Sequence, residues 1–228
     1  MALMPRLRRL LRRPTNASTV GSRRPSSSDR RGDNIHEDAL RAQLTDDPNN
    51  AAAFQALAEI VRRHAAESTV MDDPLAAPVD PEERERAEEL AVWALAEELA
   101  GNPRGWYPLV ELGRLSLDDD TDGALRRFAT AAERDPSGRA LAESVAVLSE
   151  AGLQVEALGL GVGHWRAREH VVDAGRQLVL AALAADRTAE ARQYLDFMEA
   201  APDKAALAKV RPELEKAVAL SEQHHAGT

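Results

Sequence analysis

Apolar residues in this chain recur at the three- and four-residue intervals of amphipathic helices over most of its length. Phe54, Leu57 and Val61 follow this spacing, and so do Leu109 and Leu112. Runs in which apolar and polar residues alternate strictly, as half-buried β-strands require, are missing from the sequence. The pattern therefore predicts an all-α fold.

One segment carries a longer pattern, in which small and large residues recur at fixed spacing. It runs Leu109-x2-Leu112-Gly113 and then, after a short turn, Ala124-x3-Phe128-x2-Ala131-x4-Pro136. A small residue such as Gly113 or Ala124 lets two helices approach closely, while Leu112 and Phe128 fill the space between neighbouring pairs. The spacing predicts a helical hairpin that ends at Pro136.

This segment resembles the consensus of the tetratricopeptide repeat (TPR), in which paired helices stack into an array. Only the two large aromatic residues of the first helix differ, and they are Leu109 and Ser116 here. Pro103 and Pro136 lie 33 positions apart, close to the TPR period of about 34 residues. The resemblance implies a right-handed TPR-like α–α superhelix, a solenoid of antiparallel helix hairpins. A non-repeating helical bundle with a similar Ala/Leu pattern is the alternative fold.

Weaker copies of the pattern lie on both sides. Phe54-x2-Leu57-Ala58 begins one copy after the turn Asp47-Pro48-Asn49-Asn50, Leu178-Val179 with Ala191-x3-Leu195 forms another, and a degenerate copy contains Gly161 and His164. The predicted organisation is therefore a disordered arm rich in Arg, Ser and Pro at 1–35, TPR-like repeats at 36–202, and a capping helix with a short tail at 203–228.

An acidic, proline-bearing insertion at about 65–80 interrupts the first hairpin. Two roles are open for it. It is either a solvated loop, or Val70, Met71 and Leu75 dock on the groove or on a partner.

The formal net charge of −9 conceals a strong asymmetry along the chain. Residues 1–31 contain nine arginines and one acidic residue, a net +8, whereas residues 32–228 contain 20 basic and 37 acidic residues, a net −17. The basic arm includes Arg6, Arg8, Arg9, Arg12 and Arg13. It is interpreted as a solvated extension, as a contact for anionic lipid or nucleic acid, or as a cleaved targeting peptide.

Candidate chemistry is sparse. The sequence has no cysteine, which excludes disulfides, thiolate metal sites and cysteine nucleophiles. The glycines of 159–165 lack the spacing of a phosphate loop and are instead expected to let helices pack closely, with Trp165 buried behind them. His164 and His170 are six positions apart, and His170 lies where the TPR family has its inter-repeat proline, which favours a structural role in a turn. Asp118–Asp120 and Asp72–Asp73 do not match a calcium loop. We therefore predict no catalytic residue, no metal and no cofactor; a helical enzyme accessory or degenerate catalytic domain is the competing hypothesis.

The TPR resemblance also implies where a partner would bind, because the first helices of successive repeats line a groove. The corresponding residues are Gln55, Glu59, Arg62, Tyr107, Val110, Arg114, Glu143, Val147, Glu150, Asp173, Arg176 and Leu180. Their mixture of charged and apolar types suggests a protein segment that carries charges together with apolar anchors. The predicted function is that of a non-enzymatic cytoplasmic adaptor, and the alternative is a membrane-surface or nucleic-acid-associated protein that uses residues 1–31.

Overall fold

The computed structural model describes the backbone of residues 27–68 and 80–226 and the side chains of residues 35–68 and 80–225. Within these ranges the chain forms helices and turns and contains no β-strand, so the all-α prediction is confirmed for them. The α-helices are α1 (Ser27–Asp46), α2 (Ala51–Ser68), α3 (Pro81–Ala100), α4 (Tyr107–Ser116), α5 (Thr121–Arg134), α6 (Arg139–Glu150), α7 (Gln154–His164), α8 (Val172–Ala184), α9 (Thr188–Phe197) and α10 (Lys204–Ala226). A short 3₁₀ helix, Met198–Ala200, follows α9.

Contacts divide the chain into an N-terminal unit, Met1–Pro108, and a C-terminal unit, Leu109–Thr228. In the N-terminal unit, α2 packs against both α1 and α3. Leu44 of α1, Phe54 and Leu57 of α2 and Leu95 of α3 are buried. Removal of these apolar side chains from water stabilises the three-helix arrangement around α2.

Helices of the C-terminal unit contact mainly their close neighbours along the chain. Each helix from α5 to α9 packs against the next one, and α5, α6 and α8 also pack against the helix after next. The largest buried side chains include Phe128, Leu141, Leu148, Leu178 and Leu195. Packing between near neighbours is typical of repeat architectures, because each hairpin buries its apolar side against the following one. The described helices are therefore compatible with a helical repeat.

The hairpin of α4 and α5 has the close approach that the sequence pattern predicts. A Cβ atom at Gly113 would lie closer than 3.0 Å to three atoms of the Phe128 ring, so only glycine fits there. Ala124, Leu112 and Phe128 are buried, as expected. The close approach that Gly113 is predicted to allow is therefore confirmed.

Ser116, which stands where the TPR consensus has a large aromatic residue, is buried but has hydrogen-bond partners. Its hydroxyl donates to the carbonyl oxygen of Leu112 and accepts a hydrogen bond of 3.0 Å from Nη1 of Arg127. Because a buried hydroxyl without partners is costly, these bonds explain why serine is tolerated inside the hairpin.

Three interhelical turns share one hydrogen-bond pattern. The turns begin at Asp47-Pro48, Asn102-Pro103 and Asp135-Pro136, and in each the side-chain Oδ1 accepts from the backbone N–H two residues later, at 3.0 to 3.1 Å. A side chain that bonds to the backbone in this way mimics a backbone turn, and the proline that follows it fixes φ. The same bond is present at Asp80-Pro81, inside the first predicted hairpin, so it marks the starts of α2, α3, α4 and α6.

Neighbouring turns are also joined to each other within each unit. In the N-terminal unit, Asn49 donates to the carbonyl oxygen of Arg104 at 2.8 Å and accepts from the backbone N–H of Trp106 at 2.7 Å. In the C-terminal unit, the N–H of Val171 donates to the carbonyl oxygen of Ser137 at 2.8 Å. These bonds connect each turn with the turn two helices further along the chain.

Helix starts and ends agree with the sequence in part. Asp80 caps α3, because its carboxylate accepts from the N–H of Glu82 at 3.1 Å. Helix α1 begins at Ser27, inside the segment 1–35 predicted to be a disordered arm; the serines and Asp29 at its start are residues that favour helix N-termini. Helix α10 begins at Lys204 and continues through Pro212.

Candidate functional site

Six charged residues of the C-terminal unit, referred to below as the charged face, lie on three helices that alternate along the chain. They are Glu111 and Arg114 of α4, Glu143 and Glu150 of α6, and Asp173 and Arg176 of α8. Arg114 lies 3.7 Å from Glu111 and 3.8 Å from Glu150, and Arg176 lies 2.7 Å from Asp173. The pair between Arg114 and Glu150 connects α4 with α6.

Glu143 interacts electrostatically with four of the other five members of the charged face. Partial desolvation raises the pKa of the Glu143 carboxyl group, and the carboxylates of Asp173, Glu111 and Glu150 act in the same direction. Arg114 acts in the opposite direction, to a smaller extent than desolvation. Within the part of the chain that the structure describes, no ion pair joins Glu143 to a cation. Four carboxylates thus face two guanidinium groups, and the face is acidic at neutral pH.

Five of these six residues are among those predicted to line a groove; Glu111 is not. Sequence reasoning missed Glu111, which is buried. A charged residue at a buried position indicates that an oppositely charged partner lies nearby, since such residues are rarely buried without one. Arg114, one turn further along α4, is that partner.

Three predicted groove residues are buried and offer no surface to a partner: Tyr107, Val110 and Val147. Tyr107 packs edge-on against Phe54, with ring centroids 5.4 Å apart, and its hydroxyl accepts from Nε2 of Gln55 at 3.0 Å. Successive helical residues differ by about 100° in direction, so the predicted faces of α4 and α6 include positions that point into the core. The groove assignment of these three residues is corrected accordingly.

The remaining predicted residues lie at or near the surface. In the N-terminal unit, Gln55 is exposed and Glu59 lies 3.7 Å from Arg62. In the C-terminal unit, Leu180 is an exposed apolar residue one turn beyond Arg176 on α8. The basic arm residues Arg6, Arg8, Arg9, Arg12 and Arg13, and the insertion residues Val70, Met71 and Leu75, lie outside the described residues.

Two of the residues considered for metal binding have other roles in the structure. Asp120 caps α5 by accepting from the N–H of Gly123 at 2.8 Å. His170 is buried, and its Nδ1 accepts a long hydrogen bond of 3.4 Å from the N–H of Arg166. Among the described residues, no group of three or more His, Asp or Glu side chains is arranged to hold a metal ion.

A second surface feature, not predicted from the sequence, lies between the end of α7 and α9. It is a cleft of about 880 Å³ whose wall includes Trp165, Tyr194 and Phe197. Trp165 packs against Tyr194 with ring centroids 5.6 Å apart and against Phe197 at 6.5 Å. The sequence predicts Trp165 to be buried behind the glycines of α7, but its side chain is only half-buried.

These glycines have different surroundings. A Cβ atom at Gly161 would overlap the Leu178 side chain, so this glycine allows α7 and α8 to pack closely, as predicted. Gly159 and Gly163 have open space at the corresponding position. Close packing therefore explains one of the three glycines.

In the described ranges, no helix has the length and apolar character needed to cross a lipid bilayer. Comparison with known proteins finds no matching family model, no matching curated protein and no matching solved structure.

Proposed function

We propose that this chain is a TPR-like helical-repeat protein that binds a segment of a partner protein on the charged face and catalyses no reaction. The observation that carries the proposal is the charged face itself. It brings Arg114, Glu143 and Asp173 together from three helices that alternate along the chain. In a TPR-like array, helices in these positions would be the first helices of successive repeats.

The partner segment is expected to be basic. At the surface of the charged face, three carboxylates outnumber two guanidinium groups, because Glu111 is buried. The pKa of Glu143 is raised by desolvation and by neighbouring acids. An arginine or lysine from the partner would offset this repulsion and form a charge-assisted hydrogen bond.

An apolar contact would complete the recognition. Leu180 is exposed, and it follows Asp173 and Arg176 on the same side of α8 at intervals of seven and four residues. Charged contacts determine orientation and association rate, whereas buried apolar contacts usually supply most of the affinity. The proposed ligand is therefore a basic segment with at least one large apolar side chain.

The proposal is tested with displayed random peptides of about twelve residues selected on the immobilised full chain. We expect the selected peptides to be enriched in Arg or Lys together with apolar residues. The dissociation constant of a labelled selected peptide is then measured by fluorescence anisotropy. The double variant Glu143→Gln with Asp173→Asn should weaken binding about five- to tenfold, because two carboxylates are lost from the face.

The matched control is Asp196→Asn with Glu213→Gln, which removes two exposed carboxylates from α9 and α10. This control should change the dissociation constant by less than about twofold. Equal losses in both double variants, or a selection without basic enrichment, would contradict binding at the charged face.

The second candidate function, contact with anionic lipid or nucleic acid, is favoured by the net +8 of residues 1–31. Cytoplasmic localisation and the lack of enzymatic activity stay predictions of the same proposal.

A further inference from the structure

We infer that the cleft between α7 and α9 is a second docking surface, which accepts a large apolar side chain of a peptide segment flanked by acidic residues. The cleft is lined by Gly161, Val162 and Trp165 from α7 and its end, and by Tyr194 and Phe197 from α9. It therefore uses helices other than the three that carry the charged face.

Apolar exposure is the first observation that points to a ligand. Val162 is 79% exposed and Phe197 is 51% exposed, whereas Leu195, also on α9, is almost completely buried. The chain has only eight aromatic residues, and three of them meet here, because Trp165 contacts both Tyr194 and Phe197. Apolar and aromatic side chains grouped at a surface are typical of interaction sites, where aromatic residues are enriched.

The aromatic wall of the cleft is held in place before any ligand arrives. The backbone N–H of Trp165 donates to the carbonyl oxygen of Gly161 at 2.8 Å, which fixes the chain at the end of α7. A Cβ atom at Gly175 would lie 3.1 Å from the Trp165 ring, so the ring lies close against the α8 backbone. A wall that is already ordered loses little conformational entropy when a ligand binds.

The charge around the cleft indicates which kind of ligand fits. Arg166 and Arg168 line the cleft, are exposed, and form no ion pair with any other residue whose side chain the structure describes. The third arginine, Arg187, lies 3.3 Å from Glu190, and Glu169 is the other acidic residue of the wall. Two unpaired arginines beside an aromatic surface favour carboxylates next to an apolar anchor.

Charge also argues against the basic arm of this chain as the occupant. Residues 1–31 carry a net +8 and would be repelled by Arg166 and Arg168. A second copy of the chain is a separate case, because Leu90 is 61% exposed and follows Glu88 and Glu89. The experiment therefore includes a measurement of self-association.

The probe is a fluorescein-labelled peptide of about twelve residues with a central Leu-Phe pair and glutamates on both sides. A second peptide has lysines in place of the glutamates, and a third has alanines in place of Leu-Phe. Fluorescence anisotropy with the full chain should show that the glutamate peptide binds at least about tenfold more tightly than either of the others.

Four variants locate the binding. Phe197→Ser and the double variant Arg166→Glu with Arg168→Glu should each weaken binding of the glutamate peptide about tenfold or more. Leu220→Ser is the matched control, since Leu220 is 56% exposed on α10, and it should leave binding within about twofold. Glu143→Gln should also leave binding of the glutamate peptide unchanged. Binding at the cleft can therefore be distinguished from binding at the charged face. The nuclear magnetic resonance signal of the Trp165 indole N–H should shift on titration with the peptide.

Three outcomes would overturn the inference. The first is equal binding of the glutamate and lysine peptides, and the second is binding that survives Phe197→Ser. The third is a wild-type dimer in sedimentation experiments that Phe197→Ser converts to a monomer, because the occupant would then be a second copy of this chain.

Discussion

Gly113 and Gly159 both lie inside helices, but an added methyl group would meet different surroundings at the two positions. At Gly113 it would overlap the Phe128 ring, while at Gly159 it would point into open space. Glycine in a helix lowers stability, because its backbone loses more entropy on folding than that of other residues. This loss is compensated only where close packing excludes any side chain. A comparison of Gly113 with Gly159 therefore distinguishes the contribution of close packing from the entropic cost of glycine.

We expect Gly113→Ala to lower the free energy of unfolding by about 1–3 kcal/mol, because Phe128 is fully buried and has little room to move. The matched variant Gly159→Ala should raise it by about 0.5–1 kcal/mol. Urea denaturation monitored by circular dichroism measures both values. If Gly113→Ala were as stable as the wild type, the close approach of α4 and α5 would be refuted.

At the scale of single residues, the sequence is sufficient to predict burial and close packing where both depend on one hairpin. The positions of Gly113, Ala124 and Phe128 follow from their spacing within α4 and α5. The burial of Tyr107 and Val147 does not follow from spacing, because a small error in helical register moves a side chain from the surface to the core. The cleft depends on Trp165 meeting Tyr194 across two helices, which spacing alone does not specify.

At the scale of elements, the turn before α6 and the turn before α8 form one hydrogen-bonded junction. Asp135 is buried and accepts from the N–H of Ser137 at 3.0 Å and from the N–H of Ala140 at 2.8 Å. Gly138, at φ +80°, lies against the imidazole of His170, where a Cβ atom would come within about 2.5–2.7 Å. The sequence predicts a structural role in a turn for His170, and the structure shows what the side chain covers.

This junction should make stability depend on pH. Burial lowers the pKa of His170 below its ordinary value of 6.5; Arg166 and, to a smaller extent, His164 act in the same direction, while Asp135 and Glu169 oppose them. The unfolded chain therefore takes up a proton at His170 more readily than the folded chain does. Stability from this group is complete above about pH 6.5 and is lost as the pH falls below that value.

We expect the wild type to lose stability between about pH 7.5 and 5.5, and His170→Gln to show a smaller loss over the same interval. At pH 7.5 the variant should be less stable by about 1–2 kcal/mol, because a buried side chain is altered. Urea midpoints at the two pH values give the comparison, with His36→Gln as the control at an exposed histidine. An unchanged pH dependence in His170→Gln would exclude this histidine as its source.

The sequence predicts these elements well where their ends carry local signals. Asp80 with Pro81 marks the start of α3, and Asp135 with Pro136 marks the turn before α6. Pro212 is the opposite case, because it suggests a helix start but lies inside α10. Buried Leu207, Leu214 and Val218, on both sides of this proline, keep α10 packed against α8 and α9.

At the scale of the whole molecule, basic and acidic residues are concentrated in different parts of the chain. Residues 1–26 contain seven arginines and no acidic residue, whereas the described helices carry an excess of acids. Binding of a phosphate-bearing surface and binding of a basic peptide should therefore depend on different parts of the chain. The two candidate functions can be tested in one protein.

We expect the full chain to bind vesicles that contain phosphatidylserine at about 50 mM salt and to release them at about 200 mM salt. Deletion of residues 1–26, which leaves α1 complete, should abolish vesicle binding and leave basic-peptide binding within about twofold. Sedimentation with vesicles and fluorescence anisotropy are the two measurements. Loss of peptide binding on deletion would assign that function to the arm instead of the charged face.

The recurring Asx-Pro turn has a consequence for how such a chain can change in evolution. Asp47, Asn102 and Asp135 each close their own turn with a local side-chain bond. A stretch from one of these residues to the next therefore begins with a complete turn. A gene duplication or deletion in frame with these turns would keep the local side-chain bond of each remaining turn. The bonds between turns, such as those from Asn49 to Arg104 and Trp106, would have to form with new partners.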